Sequence, residues 1–384
     1  MAIKLGAPAL LGLLAAVVVA ASRGAHGGTA SHPAARAGFD PVSFTRAAAL
    51  PPRHPLPTGP LLVARGSAVG PVAVDVRHVV AVVGPIEAED TLPRLVQREL
   101  PRGPARTLAR DVDPTQGLAS TAEWVAYATS RGRLAAIRHD GSGRRILTRS
   151  LIAPLGSRGE LVAWAESRGS RQRVIVRDMG SGTQWVAADM PRCRSAGCYR
   201  IDAVTLANRG VVFTRGAIGP QPSFVVRRAF SAARPSAVEI PNDPQPDLAP
   251  SSAGALYYAF ARGWYRWDFG RRPLPTVFSG RIRRPDVLRY ENGRWLVLTR
   301  RGCEMGLRER RRGAPAVDLE TAARLRSLLG IRDRRCVSSL GVAWTGSQAV
   351  SAWAILPHGD LERHVDSGLA GLAVVSDSSG IRRR

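Results

Sequence analysis

Residues 123–149 read EWVAYATSRGRLAAIRHDGSGRRILTR. Short apolar runs at Trp124–Ala128, Leu134–Ile137 and Ile146–Thr148 are broken by Arg131-Gly132 and by Asp140-Gly141-Ser142-Gly143. Apolar runs of this length separated by Gly-containing reversals are the pattern of consecutive antiparallel hairpins. One small antiparallel sheet is thus written in fewer than thirty residues.

The unit recurs. The runs HVVAVV from His78, EWVAYA from Glu123, ELVAWA from Glu160, GVVFTR from Gly210, ALYYAF from Ala255, RWLVLT from Arg294 and GVAWTG from Gly341 start 37 to 50 residues apart. That period suits a four-stranded propeller blade of about 40 to 50 residues. Radial stacking buries both faces of each sheet against its neighbours. The reading is all-β: a single propeller over 59–384, of seven four-stranded blades, with six to eight as the bounds. GPLLVARG from Gly59 and GLAGLAVVSD from Gly368 are expected to complete one blade together.

The Asp140-Gly141-Ser142-Gly143 turn followed by Leu147-Thr148 resembles the TolB-like (PD40-type, WD40-like) propeller repeat. That resemblance implies fold more than role, since propellers host many unrelated functions. The family's W-S-P-D-G turn is replaced here by Ser120-Thr121-Ala122, Ser157-Arg158-Gly159 and Ser251-Ser252-Ala253-Gly254. TolB's own partners therefore do not carry over.

Ahead of the repeats, residues 1–27 combine Lys4, an apolar run from Leu5 to Ala21 and small residues at Val19-Ala20-Ala21, the pattern of a cleavable export signal. An uncleaved anchor is the alternative, at the short end of spanning length. Residues 28–58, rich in Ala, Pro and Gly, read as a linker. An extracytoplasmic location follows: secreted, periplasmic or cell-surface. In such a compartment four cysteines form bridges more readily than they remain thiols. Among three possible pairings the local one, Cys193 with Cys198 and Cys303 with Cys336, is expected; no paired CxxC suggests zinc. Asp318–Gly330 breaks the β pattern and reads as a short helical insertion capped by Asp318, inside the Cys303–Cys336 interval.

Net charge is +25, yet Lys4 is the sole lysine among 55 basic residues. Arginine spread over nearly every turn reflects coding bias and solvated loops more than a nucleic-acid surface, so nucleic acid is not the expected partner. No G-x-S-x-G elbow and no HExxH occur. The cluster from His358 to His364 is interrupted by a Gly359-Asp360 turn. No catalytic, metal or cofactor residue is assigned. Trp264, Tyr265 and Trp267 crowd one strand beside Arg262 and Arg266, and are the candidates for stacking on a ligand. The functional expectation is a non-catalytic, monomeric exported propeller that binds a protein or envelope component through loops at one channel mouth. One alternative is an enzyme of lyase or glycan-hydrolase type, with acids such as Asp75, Glu123, Asp178, Asp202, Asp286 or Asp360 converging at the channel. Another is anionic-polymer binding by surface arginines.

Overall fold

A computed structural model describes residues 39–49, 59–65, 69–75, 77–84, 93–99, 103–113, 115–194, 197–219, 221–240, 248–259, 263–275, 287–291, 293–302, 304–311, 314–328, 336–345, 348–356 and 370–377. Helix α1 (Pro41–Ala47) and strand β1 (Gly59–Arg65) come first. Five four-stranded antiparallel sheets follow in chain order. The first holds β2 (Val69–Val74), β3 (His78–Val83), β4 (Arg94–Glu99) and β5 (Ala105–Ala109). The second holds β6 (Leu118–Ser120), β7 (Trp124–Ala128), β8 (Leu134–Arg138) and β9 (Arg145–Thr148). The third is built from β10 (Leu151–Arg158), β11 (Leu161–Arg168), β12 (Arg171–Asp178) and β13 (Gln184–Pro191). β14 (Tyr199–Ala207), β15 (Gly210–Ala217), β16 (Ser223–Ala229) and β17 (Ser236–Ile240) make the fourth. β18 (Leu248–Pro250), β19 (Gly254–Ala259), β20 (Gly263–Asp268) and β21 (Leu274–Pro275) make the fifth.

The sixth sheet has eight strands. It contains β22 (Val287–Glu291), β23 (Arg294–Arg301), β24 (Glu304–Arg311), β25 (Ala314–Glu320), β26 (Cys336–Thr345), β27 (Gln348–Leu356), β28 (Ala370–Asp377) and β1. Among the described residues one parallel pair, Glu304 with Val337, joins β24 to β26 and fuses the last two repeat units. The propeller therefore has six blades, the last of double width, in place of the seven that repeat spacing predicts. Ring closure follows the expected route: Gly59 pairs with Val375 and Arg65 with Ala370 as β1 runs antiparallel to β28.

The first strands of successive sheets lie side by side, β2 against β6, β6 against β10 and so on, and β26 returns to β2. Register shifts interrupt the pairing of β2, β10, β14, β22 and β26 with their next strands. Such bulges add the twist that an inner strand needs near the axis. Burial falls outward. Every residue of β7 is buried, whereas the outermost β9 is half-buried or exposed throughout.

Alternation along each strand supplies both neighbouring cores. In β7, Val125 and Tyr127 join Val80, Val82 and Leu95 of the first sheet, while Trp124 and Ala126 join Val162, Trp164 and Ile175 of the third.

The two helices differ from expectation. α1 forms within the stretch read as a linker: Asp40 caps it by accepting from the backbone N–H groups of Val42 (3.0 Å) and Ser43 (2.9 Å), and Pro41 starts the first turn. Phe44 is buried in the core between the third and fourth sheets, where Phe39 stacks on Trp185 at 5.1 Å and Phe44 meets Phe230 edge-on at 5.6 Å. Gly159 permits this docking. It has φ +56° and faces the backbone oxygens of Ala47 and Ala49, leaving no room for a Cβ. The second helix, α2 (Ala322–Leu328), begins later than Asp318. Asp318 belongs to β25, pairs with Arg308 in register and forms a two-point ion pair with it at 2.6 and 3.0 Å, so sheet pairing outcompetes capping. Thr321 caps instead, its Oγ1 accepting from Arg324 N–H at 3.2 Å.

Candidate functional site

Asp75 follows β2 in the tight turn that returns to His78 at the start of β3, and its backbone N–H donates to the His78 carbonyl at 3.1 Å. Its Oδ1 accepts from the backbone N–H groups of Arg77 (2.7 Å) and His78 (2.9 Å), so the side chain is held by its own turn. The His78 ring adds Nδ1 at 3.1 Å. From the second sheet, Ser120 at the end of β6 donates Oγ–H to Asp75 Oδ2 at 2.7 Å, and His139 Nε2 approaches that oxygen at 3.0 Å. The two imidazoles stack, centroids 4.1 Å apart and planes 13° from parallel.

His139 faces acceptors at both nitrogens. Nε2 points to the Thr121 carbonyl (2.9 Å) and to Asp75; Nδ1 points to Gln97 Oε1 at 2.6 Å. Gln97 cannot be turned round, because its Nε2 donates to the His139 carbonyl at 3.2 Å. Both ring nitrogens must therefore carry protons, and His139 is an imidazolium. Burial opposes its charge, but the Asp75 carboxylate, the Thr121 carbonyl and the more distant Glu160 outweigh that and raise its pKa. Burial likewise opposes ionisation of Asp75, which is 3% exposed; hydrogen bonds from His139 and His78 and the charge of His139 hold its carboxyl well below the ordinary range.

Asp75, His78 and His139 offer three ligand-type atoms within 4.8 Å of one another, so a metal must be considered. The fit is poor. A metal bonds in the plane of each imidazole, and two nearly parallel stacked rings cannot both present lone pairs to one ion. A Ser-His-Asp relay does not fit either, since Ser120 donates to the aspartate and not to an imidazole. What the arrangement does is join the first and second sheets by a buried ion pair.

The same rim continues around the ring. Ala122 N–H donates to Glu160 Oε1 at 3.0 Å, the Arg158 guanidinium meets Asn208 Oδ1, and Asn208 N–H donates to the Ser252 carbonyl at 2.9 Å. Turns that follow the inner strands are thus stitched to one another from the first sheet to the fifth.

The other acids singled out by sequence serve local roles. Asp178 caps its hairpin through Gly180 N–H at 2.9 Å, and Asp202 pairs with Arg200 at 2.5 Å. Glu123 lends its carbonyl to His139 N–H. Asp286, Asp360 and the His358–His364 cluster lie outside the described residues, as do the export signal and Cys303, and with it the second expected bridge. Cys193 and Cys198 are bonded as expected. Trp264 and Trp267 are 4% and 3% exposed and point into opposite interblade cores; half-buried Tyr265 stacks on Tyr257 at 5.4 Å. Their aromatic faces are spent on packing.

The sequence singles out Asp75 but not His139, which is distant in sequence and meets Asp75 only when two sheets stack. It also missed that arginines roof buried aromatics: Arg228 lies 5.0 Å from the Trp185 ring centroid and Arg227 4.2 Å from that of Trp267.

No protein-family model matches this chain, and no curated protein does. Among solved structures, a prolyl endopeptidase is similar over 82% of this chain and 48% of its own, at 10% identity and TM-score 0.54. The chain thus spans about half the length of that enzyme. The β-propeller domain of the Trilobed protease from Pyrococcus furiosus is similar over 78% of this chain and 98% of its own, at 10% identity and TM-score 0.50. TolB from Acinetobacter baumannii matches over 76% and 78%, at 12% identity and TM-score 0.39. At such identities the likeness to the prolyl endopeptidase and to the Trilobed protease domain is one of fold, and at that level the chain is a β-propeller.

Proposed function

We propose that this propeller is an exported, non-catalytic binding module that engages a protein or cell-envelope component through the mouth opposite the stitched rim. Its loop asymmetry carries the reading. In an antiparallel meander, connections alternate between the two ends of the blade. Those on the Asp75 side are short: 121–123, 159–160, 208–209 and 251–253 after the inner strands, and 139–144, 179–183 and 230–235 farther out. On the opposite side the ends of β3, β21 and β27 are separated in sequence by ten or more residues from the starts of β4, β22 and β28, and β13 is joined to β14 past the Cys193–Cys198 bridge. Variable loops on a rigid scaffold are where recognition concentrates, and a disulfide suits an oxidising compartment. Among the described residues no helix is long and apolar enough to cross a membrane.

The test is site-specific photocrosslinking in the producing cell. A probe at exposed Ile218, on the long-loop side, is expected to capture one discrete envelope partner, and a probe at Arg209 on the stitched rim none. Equal labelling from both, or a cytosolic protein retaining Met1, would overturn the reading.

A further inference from the structure

At the outer edge between the second and third sheets stand three arginines that, among the described residues, lack an ion-pair partner. Arg138 ends β8, Arg145 opens β9 and Arg177 lies near the end of β12. Arg145 lies with its guanidinium carbon 3.8 Å from the Trp124 ring centroid, and Arg138 is 5.1 Å from the same centroid. Trp124 is a core residue at the seam between these two sheets.

Several other arginines are matched: Arg144 with Asp111, Arg171 and Arg173 with Asp189, Arg308 with Asp318. Here, among the described residues, no ion pair reaches any of the three. Nε and Nη2 of Arg145 and Nε of Arg177 are buried without a hydrogen-bond partner. Stacking on an indole face offsets part of the charge of Arg145 but leaves its in-plane N–H groups unsatisfied. Burial, then repulsion from Arg177 and Arg138, holds the Arg145 guanidinium below its usual pKa, and burial does the same to Arg177. The neighbouring acids are held by their own turns: Asp178 Oδ1 accepts from Gly180 N–H and its Oδ2 from Ser181 Oγ–H at 2.8 Å, while exposed Asp140 accepts from Ser142 N–H at 2.7 Å and feels the charge of Arg138 without forming an ion pair with it.

We propose that Arg145, Arg177 and Arg138 form a binding site for a multiply charged oxyanion, a phosphate or sulfate group. Planar guanidinium forks match the oxygens of such a group, and the buried N–H donors would gain the partners they lack. The site goes beyond the partner-binding reading above and lies at the blade edge, so its failure leaves that reading untouched.

The test titrates the full chain with inorganic phosphate and with inorganic sulfate at fixed ionic strength, by calorimetry and by thermal unfolding. Wild type is expected to show saturable one-site binding and a Tm that climbs with ligand concentration. Arg145→Gln and Arg177→Gln each weaken binding about tenfold or more and flatten the Tm response. Arg131→Gln, in the exposed turn after β7, changes neither. Without ligand both variants keep or raise the wild-type Tm, because an unpaired buried charge is removed; a purely structural arginine would lower it. Non-saturable binding to wild type, or variants that bind as wild type does, would sink the proposal. Vesicles containing phosphatidic acid distinguish the source: arginine-dependent capture identifies a lipid headgroup, and capture only of free phosphate identifies a soluble ion.

Discussion

A buried charge that has its partners in place ties stability to pH and to those partners, and two sites here show the consequence. His139 is held protonated by Asp75, so its contribution to stability is complete below about pH 6.5, its ordinary value, and is lost as pH rises through its raised folded pKa. The depressed Asp75 behaves oppositely: its contribution is complete above about pH 4 and is lost as pH falls through its lower folded value. Thermal unfolding is therefore expected to give a Tm plateau through mildly acidic pH with an alkaline decline. His139→Gln lowers the plateau and abolishes that decline; a decline that survives the substitution contradicts the imidazolium. Glu309 makes a second case. It is 1% exposed and receives Arg294 in two-point contact at 2.6 and 3.0 Å, with Arg311 beside it. Glu309→Ala leaves two half-buried arginines without their carboxylate and is expected to cost about 3 kcal/mol in urea unfolding.

At the scale of elements, α1 is the informative piece. It is too short to persist alone and exists because Phe44 has a pocket and Gly159 makes way. Gly159→Ala would set a Cβ against the Ala47 carbonyl oxygen, which the Glu160 N–H also reaches at 2.8 Å. The expected outcome is release of α1, read as faster hydrogen exchange at Glu160 and early proteolysis in residues 40–49 while the blades stay folded. Unchanged exchange would refute the docking role. Legibility divides along the same line. Strands were legible because each carries its own apolar run and Gly-bearing reversal, as in residues 123–149. α1 was not, since seven residues with one large buried side chain, Phe44, generate no periodicity. The beginning of α2 was misplaced because the Asp318 signature competes with a cross-strand partner, Arg308, that only pairing reveals. The Asp75–His139 contact leaves no local trace at all.

At the scale of the whole molecule, strand units repeat evenly enough to reveal a propeller but not how its last units join. The fusion of two units into one eight-stranded sheet depends on the Glu304–Val337 pair between strands that are not consecutive. Closure depends on a contact between opposite chain ends. Deleting residues 1–65 removes β1 and bares the edge of β28. The truncated protein is expected to unfold at lower temperature and to associate as concentration rises, because an unpaired strand edge recruits another. A monomer as stable as the parent would show that closure is dispensable.

The union of β1 with β28 also orders events in time. A chain emerging from the ribosome amino end first can assemble its early sheets from neighbouring hairpins, but β1 must wait for β28, about three hundred residues later, before it has a partner. Completion is thereby deferred to a highly non-local pairing, a kind of step that slows folding, and the nascent ring stays unlocked until β28 has emerged.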